Sequence, residues 1–387
     1  MSTLITAEGC QARRRRLWDA LNPRPDLILI AQPQHLSYLS NYYASPYVFR
    51  TANAQAVLIL GADGSSTLVA DSMVRGFAEE AFVDDIVAPT WYDGRHSAPI
   101  RGELLATSLL DALHKKPGVR LGVESSGVSA GVLDRLREQR GTLELVAVDA
   151  ALHQLKRSKD PDELEILRRS LQASDAGYAA ALKHVHPGMT ELDACLLVHR
   201  AAAEAAGQPV LIYGDFVSGP RTGDKGGPPS QRVIERGDLV LLDYSVILRG
   251  YRGDVCNTFV CGAKPSAEQR RLHAACLEAL TAGERMLRPG QHAREVDRAV
   301  RSSFDAQHLT ANFTSHSGHG LGLGHPDPPY FVPESSDVLV AGDVVALEPG
   351  LYFPGKFGMR FEHNFVVTSG GPERLSNHQL ELAQSGI

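Results

Sequence analysis

Short apolar runs, bounded by polar and glycine positions, recur through the first 150 residues and predict strands there. The predicted strands are Leu27–Ala31, Ala56–Leu60, Thr67–Ala70, Arg120–Val123 and Leu145–Val148. Apolar positions at helical spacing between these runs predict the helices Gly102–His114 and Val128–Arg140. Strands that alternate with helices indicate an α/β domain.

The polar stretch His153–Pro161 separates this region from the rest of the chain. Asp160 followed by proline is typical of a helix start, and the pattern predicts a helix that runs to about His184. We therefore expect an N-terminal domain of residues 1–154 and a second domain of residues 155–387.

The second domain contains an internal repeat. Pro187-Gly188 and Pro289-Gly290 each precede a predicted helix, the later one over Ala293–Phe304. The run Gly237–Asp243 matches Gly342–Glu348, and the two matches are 102 and 105 residues apart. This pattern predicts two α+β halves related by a pseudo-twofold axis, each with an apolar strand that ends in a carboxylate.

Asp243 ends a run of leucine and valine that should be buried, and a buried carboxylate is costly unless it is paired or bound to metal. The flanking sequence predicts a hairpin. A turn centred between Leu248 and Arg249 would place Asp243 directly opposite Asp254, and two facing carboxylates would repel each other.

The second half of the repeat has the same arrangement, since Glu348 and Glu362 are symmetric about Gly355. Four converging carboxylates need a counter-charge, which two divalent cations would supply. His319, between two glycines, is the natural imidazole ligand. Oxygen ligands with one imidazole suit manganese, cobalt, iron or zinc, and the carboxylate majority favours manganese.

The composition is that of an ordinary globular chain, with 43% hydrophobic and 22% charged residues. A net charge of −6 argues against a nucleic-acid partner, which would favour a basic face. No apolar run is long enough to predict a membrane span. The cysteines form no CxxC pair, which argues against a disulfide framework and fits a reducing cytoplasm.

The N-terminal segment runs into four consecutive arginines, Arg13–Arg16, and has no apolar core typical of a secretory signal. The arginines could form a nucleic-acid or localisation patch. We favour a solvated first helix, with Leu17 and Leu21 packed inward.

Together these residues resemble the "pita-bread" metallopeptidases, which include prolidase, aminopeptidase P, methionine aminopeptidase and the metal-free creatinase. The resemblance covers the whole chain in its creatinase–prolidase form and is strongest from Lys156 onward. It rests on five ligand positions in order: Asp243, Asp254, Gly318-His319-Gly320, Glu348-Pro349-Gly350 and Arg360-Phe361-Glu362. It implies a pita-bread catalytic domain after a smaller α/β domain that caps the substrate and mediates dimerisation.

The resemblance also implies roles for the ligands. Asp254 and Glu362 would bridge two divalent metal ions, Asp243 would complete one site, and His319 with Glu348 would complete the other. A water bridging the metals would be acidified enough to attack as hydroxide near neutral pH. The protein is therefore expected to be a metallopeptidase that cleaves the Xaa-Pro bond of dipeptides or short peptides. It is expected to act as a cytoplasmic homodimer.

Four catalytic residues are expected around these ligands. Glu348 could take a proton from the water and pass it to the leaving nitrogen. His325 resembles the family histidine that hydrogen-bonds the substrate carbonyl or the tetrahedral oxyanion. His316 could carry protons or be a loop residue without a role. Arg360 could anchor a substrate carboxylate or assist Glu362.

Three positions depart from the family pattern. Gly226 stands where prolidases carry a substrate-side histidine, Asn257 where an arginine often follows the second aspartate, and Pro326 where an acid commonly follows His325. All three concern substrate handling. They motivate an alternative to Xaa-Pro cleavage, in which the protein is a creatinase- or ectoine-hydrolase-like C–N hydrolase, or a lyase, acting on a small non-peptide substrate.

Other interpretations remain open at this point. Gly127–Gly131 fits the GxSxG pattern of serine hydrolases, although Ser129 could merely cap a helix. A binding module that has lost its metal ligands is disfavoured, because all five are present. An aromatic cluster near Tyr42 suggests that Phe49 or Arg50 binds substrate in the active site of a neighbouring subunit.

Overall fold

The structure, a computed structural model, describes residues 5–51, 54–114, 120–140 and 143–385, without the side chains of Arg50 and Arg140. The chain forms two compact units, which divide between Lys156 and Arg157. Within the described residues, no helix has both the length and the apolarity that a bilayer crossing requires.

The first unit is a mixed sheet with helices, as the sequence predicts. The strands are β1 Leu27–Ile30, β2 Ala56–Gly61, β3 Ser66–Ala70, β4 Asp85–Val87, β5 Arg120–Val123 and β6 Glu144–Ala147, in the order β4-β3-β2-β1-β5-β6. The helices are α1 Ala7–Ala20, α2 Pro33–Ser40, α3 Arg75–Ala78, α4 Arg101–His114, α5 Ala130–Arg140 and α6 Asp149–Leu155. Leucines of α4 pack on β1 and β2 and form the core.

The prediction that the four arginines of α1 are solvated is wrong for Arg13, which is fully buried. Its Nε atom donates to the Tyr38 carbonyl oxygen at 2.7 Å, and Arg14 Nε donates to the Leu39 carbonyl oxygen at 2.7 Å. These carbonyls belong to the last turn of α2, where helical carbonyls have no partner within the helix. Helix α2 was not predicted, so its need for donors could not be anticipated.

The second unit contains long helices over three sheets. The helices are α7 Pro161–His184, α8 Glu191–Ala206, α9 Ala267–Glu284 and α10 Ala293–Asp305. The strands are β7 Leu211–Ser218, β8 Leu239–Leu248, β9 Tyr251–Cys261, β10 Gly318–Gly320, β11 Asp327–Phe331, β12 Val344–Leu347, β13 Gly350–Phe353, β14 Phe357–Arg360, β15 His363–Thr368, β16 Gly371–Arg374 and β17 Gln384–Ser385. The sheet orders are β17-β9-β8-β7, β11-β10-β12-β15-β16 and β13-β14.

The predicted repeat is confirmed by matching turns before β8 and β12. Gly237 and Gly342 have φ angles of 92° and 90°, a region that favours glycine. Their amides donate to the carbonyl oxygens of Cys261 and Val367 at 2.7 and 2.8 Å. These turns anchor the N-terminal ends of β8 and β12, the strands that lead to Asp243 and Glu348.

Candidate metal centre

The predicted register of the first hairpin is wrong. Asp243 on β8 pairs with Cys256 on β9, and Asp254 pairs with Ser245. The turn consists of Arg249 and Gly250, both with positive φ (51° and 91°), as in the two-residue turns that suit hairpins. The two aspartates are therefore diagonal neighbours on one face of the sheet, where their carboxylates converge without standing directly opposite.

The second hairpin has the predicted centre, because β13 and β14 pair symmetrically about Gly355. Glu348 and Glu362 lie just outside this ladder. The amide of Glu348 donates to the Ser317 carbonyl oxygen and that of Glu362 to the Cys256 carbonyl oxygen, each at 3.0 Å. The second of these bonds ties Glu362 to β9, the strand that carries Asp254.

His319 lies on β10, between β11 and β12. Its Nδ1 atom lies 2.9 Å from the Gly320 carbonyl oxygen, which fixes the ring with Nε2 free to act as a ligand. Nε2 lies 3.2 Å from Glu348 Oε1 and 3.7 Å from Asp254 Oδ2. A side chain at Gly318 would collide with the Ala346 carbonyl oxygen, so the close pairing of β10 with β12 requires glycine there.

The five predicted ligands are divided between two groups that share no residue. One oxygen from each of Asp243, Asp254 and Glu362 lies within 4.8 Å of the others, and one ligand atom from each of His316, His319 and Glu348 does the same. A third group, Asp254, His319 and His325, links the two. Spacings of this size can hold a divalent cation between the ligand atoms.

Glu362 provides a direct test of whether the residues fit a metal. Its side chain is buried, and Oε1 accepts a hydrogen bond from Asn364 Nδ2 at 2.9 Å. Its Oε2 atom has no hydrogen-bond partner among the described residues. A buried carboxylate oxygen without a donor is unfavourable, and a cation bound there would satisfy it. The donor set therefore fits divalent metal ions.

The carboxyl groups differ in how readily they ionise. Burial raises the pKa of Asp243 to about 7, although the Arg360 guanidinium opposes this shift. Burial and the charge of Asp254 hold the pKa of Glu362 well above its usual range. Without cations, Asp243 and Glu362 thus lack sufficient positive charge nearby to ionise readily.

On the histidine side of the centre, neighbouring groups stabilise the charged forms instead of opposing them. Burial alone would raise the pKa of Glu348, but hydrogen bonds from His316 and His319 hold it well below its usual range. Burial would lower the pKa of His319, yet its bond to Glu348 raises that pKa to about 9. Histidine and glutamate therefore stabilise each other's charged forms.

The structure places the remaining predicted catalytic residues around these ligands. His316 Nε2 lies 3.1 Å from Glu348 Oε1, and His325 Nε2 lies 2.8 Å from Asp254 Oδ2. Arg360 is buried, and its Nη2 lies 2.6 Å from Asp243 Oδ2. Its ion pairs are with Asp215, Asp243 and Glu348, and its roles at a substrate carboxylate or in assisting Glu362 stay predictions.

Sequence reasoning missed Asp215, which lies on β7 directly opposite Asp243. Its Oδ1 accepts from the Gly227 amide at 2.8 Å, and its Oδ2 lies 3.2 Å from Arg360 Nη2. A Cβ atom at Gly226 would lie 1.9 Å from Oδ2, so this departure from the family pattern makes room for Asp215. The apolar character of β7 is weak, and no motif marked this strand.

The other predicted positions lie elsewhere. Asn257 is buried, where its Nδ2 donates to the Gln379 carbonyl oxygen and its Oδ1 accepts from the Thr258 amide. Ser129 Oγ accepts weakly from the Val132 amide at 3.4 Å, as a helix cap does. In the first unit, Phe49 is 87% exposed, and the Arg50 side chain lies outside the described part of the structure.

Comparison with known proteins defines the class to which this fold and centre belong. The sequence profile of metallopeptidase family M24 matches residues 165–369, and that of the creatinase/prolidase N-terminal domain matches residues 14–157. The chain is a member of metallopeptidase family M24. The predicted fold, a pita-bread domain after a creatinase-type α/β domain, is thereby confirmed, as is the resemblance.

The relatives of the chain include proteins named as dipeptidases. The chain is 28% identical to a Xaa-Pro dipeptidase of Pyrococcus furiosus over 68% of this chain and 75% of that protein. It is 30% identical to the probable dipeptidase PepE of Mycobacterium bovis over 76% and 75%. The solved structure of a Xaa-Pro dipeptidase from Bacillus anthracis superposes with a TM-score of 0.82 at 24% identity, covering 98% of this chain and 100% of that one, which supports the fold.

Proposed function

We propose that this metallopeptidase uses two divalent metal ions to cleave the Xaa-Pro bond of dipeptides or short peptides. The observation that carries the proposal is the convergence of Asp243, Asp254, His319, Glu348 and Glu362, with a buried, unsatisfied oxygen on Glu362. The Xaa-Pro dipeptidase and dipeptidase names of relatives support the substrate class.

Each half of the repeat contributes ligands. Asp254 and Glu362 would be shared by both ions, Asp243 would complete one position, and His319 with Glu348 would complete the other. The carboxylate majority favours manganese, with cobalt, iron and zinc as alternatives. When bound, such ions polarise the scissile carbonyl and acidify a water so that it attacks as hydroxide near neutral pH.

The chain's own residues would move protons and stabilise charge. Glu348 would accept a proton from the attacking water and deliver it to the leaving nitrogen. His316, 3.1 Å from Glu348 Oε1, is in hydrogen-bond reach to exchange that proton with solvent. His325 is only partly buried, so it can donate to the substrate carbonyl oxygen as negative charge develops there. Arg360 would balance the charge of Asp243.

The first unit would complete the substrate site in an assembly. We propose a cytoplasmic homodimer in which Phe49 or Arg50 reaches the active site of the neighbouring subunit. The 87% exposure of Phe49 leaves its ring accessible for such a contact. An Arg50→Ala variant with unchanged KM and turnover would count against the proposal for that residue.

A second candidate function rests on the substrate side of the centre. Gly226 offers no side chain to a substrate, and the neighbouring carboxylate of Asp215 is 36% exposed. A site altered in this way could bind a small non-peptide substrate and hydrolyse a C–N bond, as creatinase or ectoine hydrolase do, or act as a lyase.

The decisive experiment is hydrolysis of a panel of Xaa-Pro peptides by manganese-loaded protein. The controls are a Glu348→Ala variant and a sample treated with chelator. Cleavage that disappears in both controls is the expected result. Protein that holds about two metal ions per chain but cleaves no Xaa-Pro peptide would favour the second function, which small amidines and cyclic amides would then test.

A further inference from the structure

The guanidinium of Arg360 is shared between the candidate ligand Asp243 and a second carboxylate, Asp215. Its Nη2 atom lies 2.6 Å from Asp243 Oδ2, 3.2 Å from Asp215 Oδ2 and 3.1 Å from the Lys225 carbonyl oxygen. A guanidinium nitrogen of this kind carries two hydrogens. The hydrogen bonds run to Asp215 and to the Lys225 carbonyl oxygen, one acceptor for each N–H group, whereas Asp243 is held as an ion pair.

A cation bound by Asp243 would weaken the ion pair between Asp243 and Arg360. Arg360 has a side chain only 9% exposed, so water cannot readily replace a lost partner. A buried N–H group or charge left without a partner is costly. If Asp243 turns to a cation, the oxygens of Asp215 and Lys225 still provide one acceptor for each hydrogen.

We infer that Asp215 is a positioning residue that holds Arg360 when Asp243 binds a cation, and that it thereby sets the affinity of this metal position. The negative charge of Asp215 also offsets the positive charge of Arg360 and so reduces the repulsion between this buried guanidinium and the incoming cation. The inference rests on the proposed metal-dependent function.

Gly226 and Asp215 are coupled in this arrangement. A Cβ atom at position 226 would lie 1.9 Å from Asp215 Oδ2 and 2.3 Å from its carboxyl carbon. The atoms in the way belong to a side chain that can rotate, so alanine at 226 would displace the carboxylate from Arg360. Glycine at this position is therefore a requirement of the Asp215–Arg360 contact.

Calorimetric titration of Mn²⁺ into metal-free protein tests this role. Asp215→Asn keeps the oxygen that accepts from the Gly227 amide but removes the charge. We expect one of the two binding steps to weaken by about 10- to 100-fold, the range typical when a group that supports a metal ligand is removed. The other step should keep its wild-type affinity, and the thermal unfolding midpoint of the metal-free variant should be unchanged.

Asp224→Asn is the matched control, because it removes the same charge from an exposed position in the neighbouring loop. It should leave both binding steps unchanged. Gly226→Ala should reproduce the selective loss seen in Asp215→Asn. The double variant Asp215→Asn/Gly226→Ala should be no weaker than either single variant, because both remove the same contact.

The possible results separate the inference from the function on which it rests. Wild-type protein that takes up no divalent cation would overturn both. Wild-type protein that binds two ions, with Asp215→Asn indistinguishable from Asp224→Asn, would overturn the inference alone. Additive losses in the double variant would also overturn it, because they would show that Gly226 and Asp215 act separately.

Discussion

The two halves of the second unit use the same backbone and present different chemistry. A glycine with positive φ precedes Asp238 before β8 and Asp343 before β12. The carboxylate of each aspartate accepts a hydrogen bond, at 2.8 Å, from the backbone amide three residues earlier in the chain. The repeat thus fixes where each strand begins, and the carboxylate at the centre, Asp243 or Glu348, follows five residues after the turn aspartate.

The candidate ligands that follow these strand starts differ between the two halves. The first half offers Asp243 and Asp254 from one long hairpin, with Arg360 as the neighbouring cation. The second half offers Glu348 beside His316 and His319, and this glutamate lies between the end of β12 and the start of β13. The comparison teaches that a duplicated scaffold fixes positions while side chains diverge. It predicts one oxygen-rich metal position and one that mixes nitrogen and oxygen.

The largest effect should come from removing Glu362, the ligand that both positions are proposed to share. Glu362→Gln keeps the volume and the Oε1 contact with Asn364 but removes the charge. We expect kcat/KM to fall by more than the roughly 100-fold that loss of an outer partner of a ligand can cause. Metal content, measured by atomic absorption, should fall for both ions.

Asp243→Asn is the comparison variant, since Asp243 is proposed to serve only one position. It should lose one ion and retain the other. If Glu362→Gln also retained one ion at wild-type affinity, the sharing of Glu362 between the halves would be wrong.

Much of the fold was predictable because local patterns decide it. The helix expected from Pro161 to about His184 is α7, residues Pro161–His184. Its start is marked by Asp160, whose capping box does not depend on distant residues. The hairpin register was not predictable, because Arg249 takes a left-handed conformation that favours glycine or asparagine, and the sequence gives no sign of it.

The candidate site was predictable where residues follow strand patterns. The predicted ligands converge because Asp243 and Glu348 end matched apolar runs. Asp215 was missed because its place opposite Asp243 depends on pairing between β7 and β8. Arg13 was missed for a similar reason, since its burial depends on α2. Long-range contacts of this kind leave no local periodicity to detect.

The next effect concerns stability and compares the aspartates of the two repeat turns. Asp343 is fully buried and forms two bonds with Arg157, at 3.0 and 2.6 Å, whereas Asp238 and its partner Arg232 are 13% and 22% exposed. Asp343→Ala should cost about 3–5 kcal/mol, because it leaves a buried charge unpaired. Asp238→Ala should cost about 1.5–3 kcal/mol. Equal costs in urea unfolding would contradict this difference.

A smaller effect is the pH dependence of metal binding. Without metal, the pKa of His319 is about 9 and that of Asp243 about 7, so at pH 7 the histidine is protonated and the aspartic acid partly so. Both must lose protons to act as ligands. Mn²⁺ affinity should therefore rise with pH up to about 9, and binding at pH 7 should release protons. Calorimetry in buffers of different ionisation enthalpy measures this release, and pH-independent binding would contradict it.

The smallest effect concerns α8 and α10, the helices that follow the matched Pro187-Gly188 and Pro289-Gly290 pairs. Helix α8 begins at the capping residue Thr190, whose Oγ1 accepts from the Asp193 amide at 3.1 Å, whereas the equivalent residue before α10, His292, makes no side-chain cap bond. Thr190→Ala should lower the free energy of unfolding by about 1 kcal/mol. His292→Ser should raise it by up to about 1 kcal/mol, because serine can cap where histidine does not. Urea unfolding of both variants measures these changes in the free energy of unfolding. Changes of the same sign in both variants would show that capping does not distinguish the two halves.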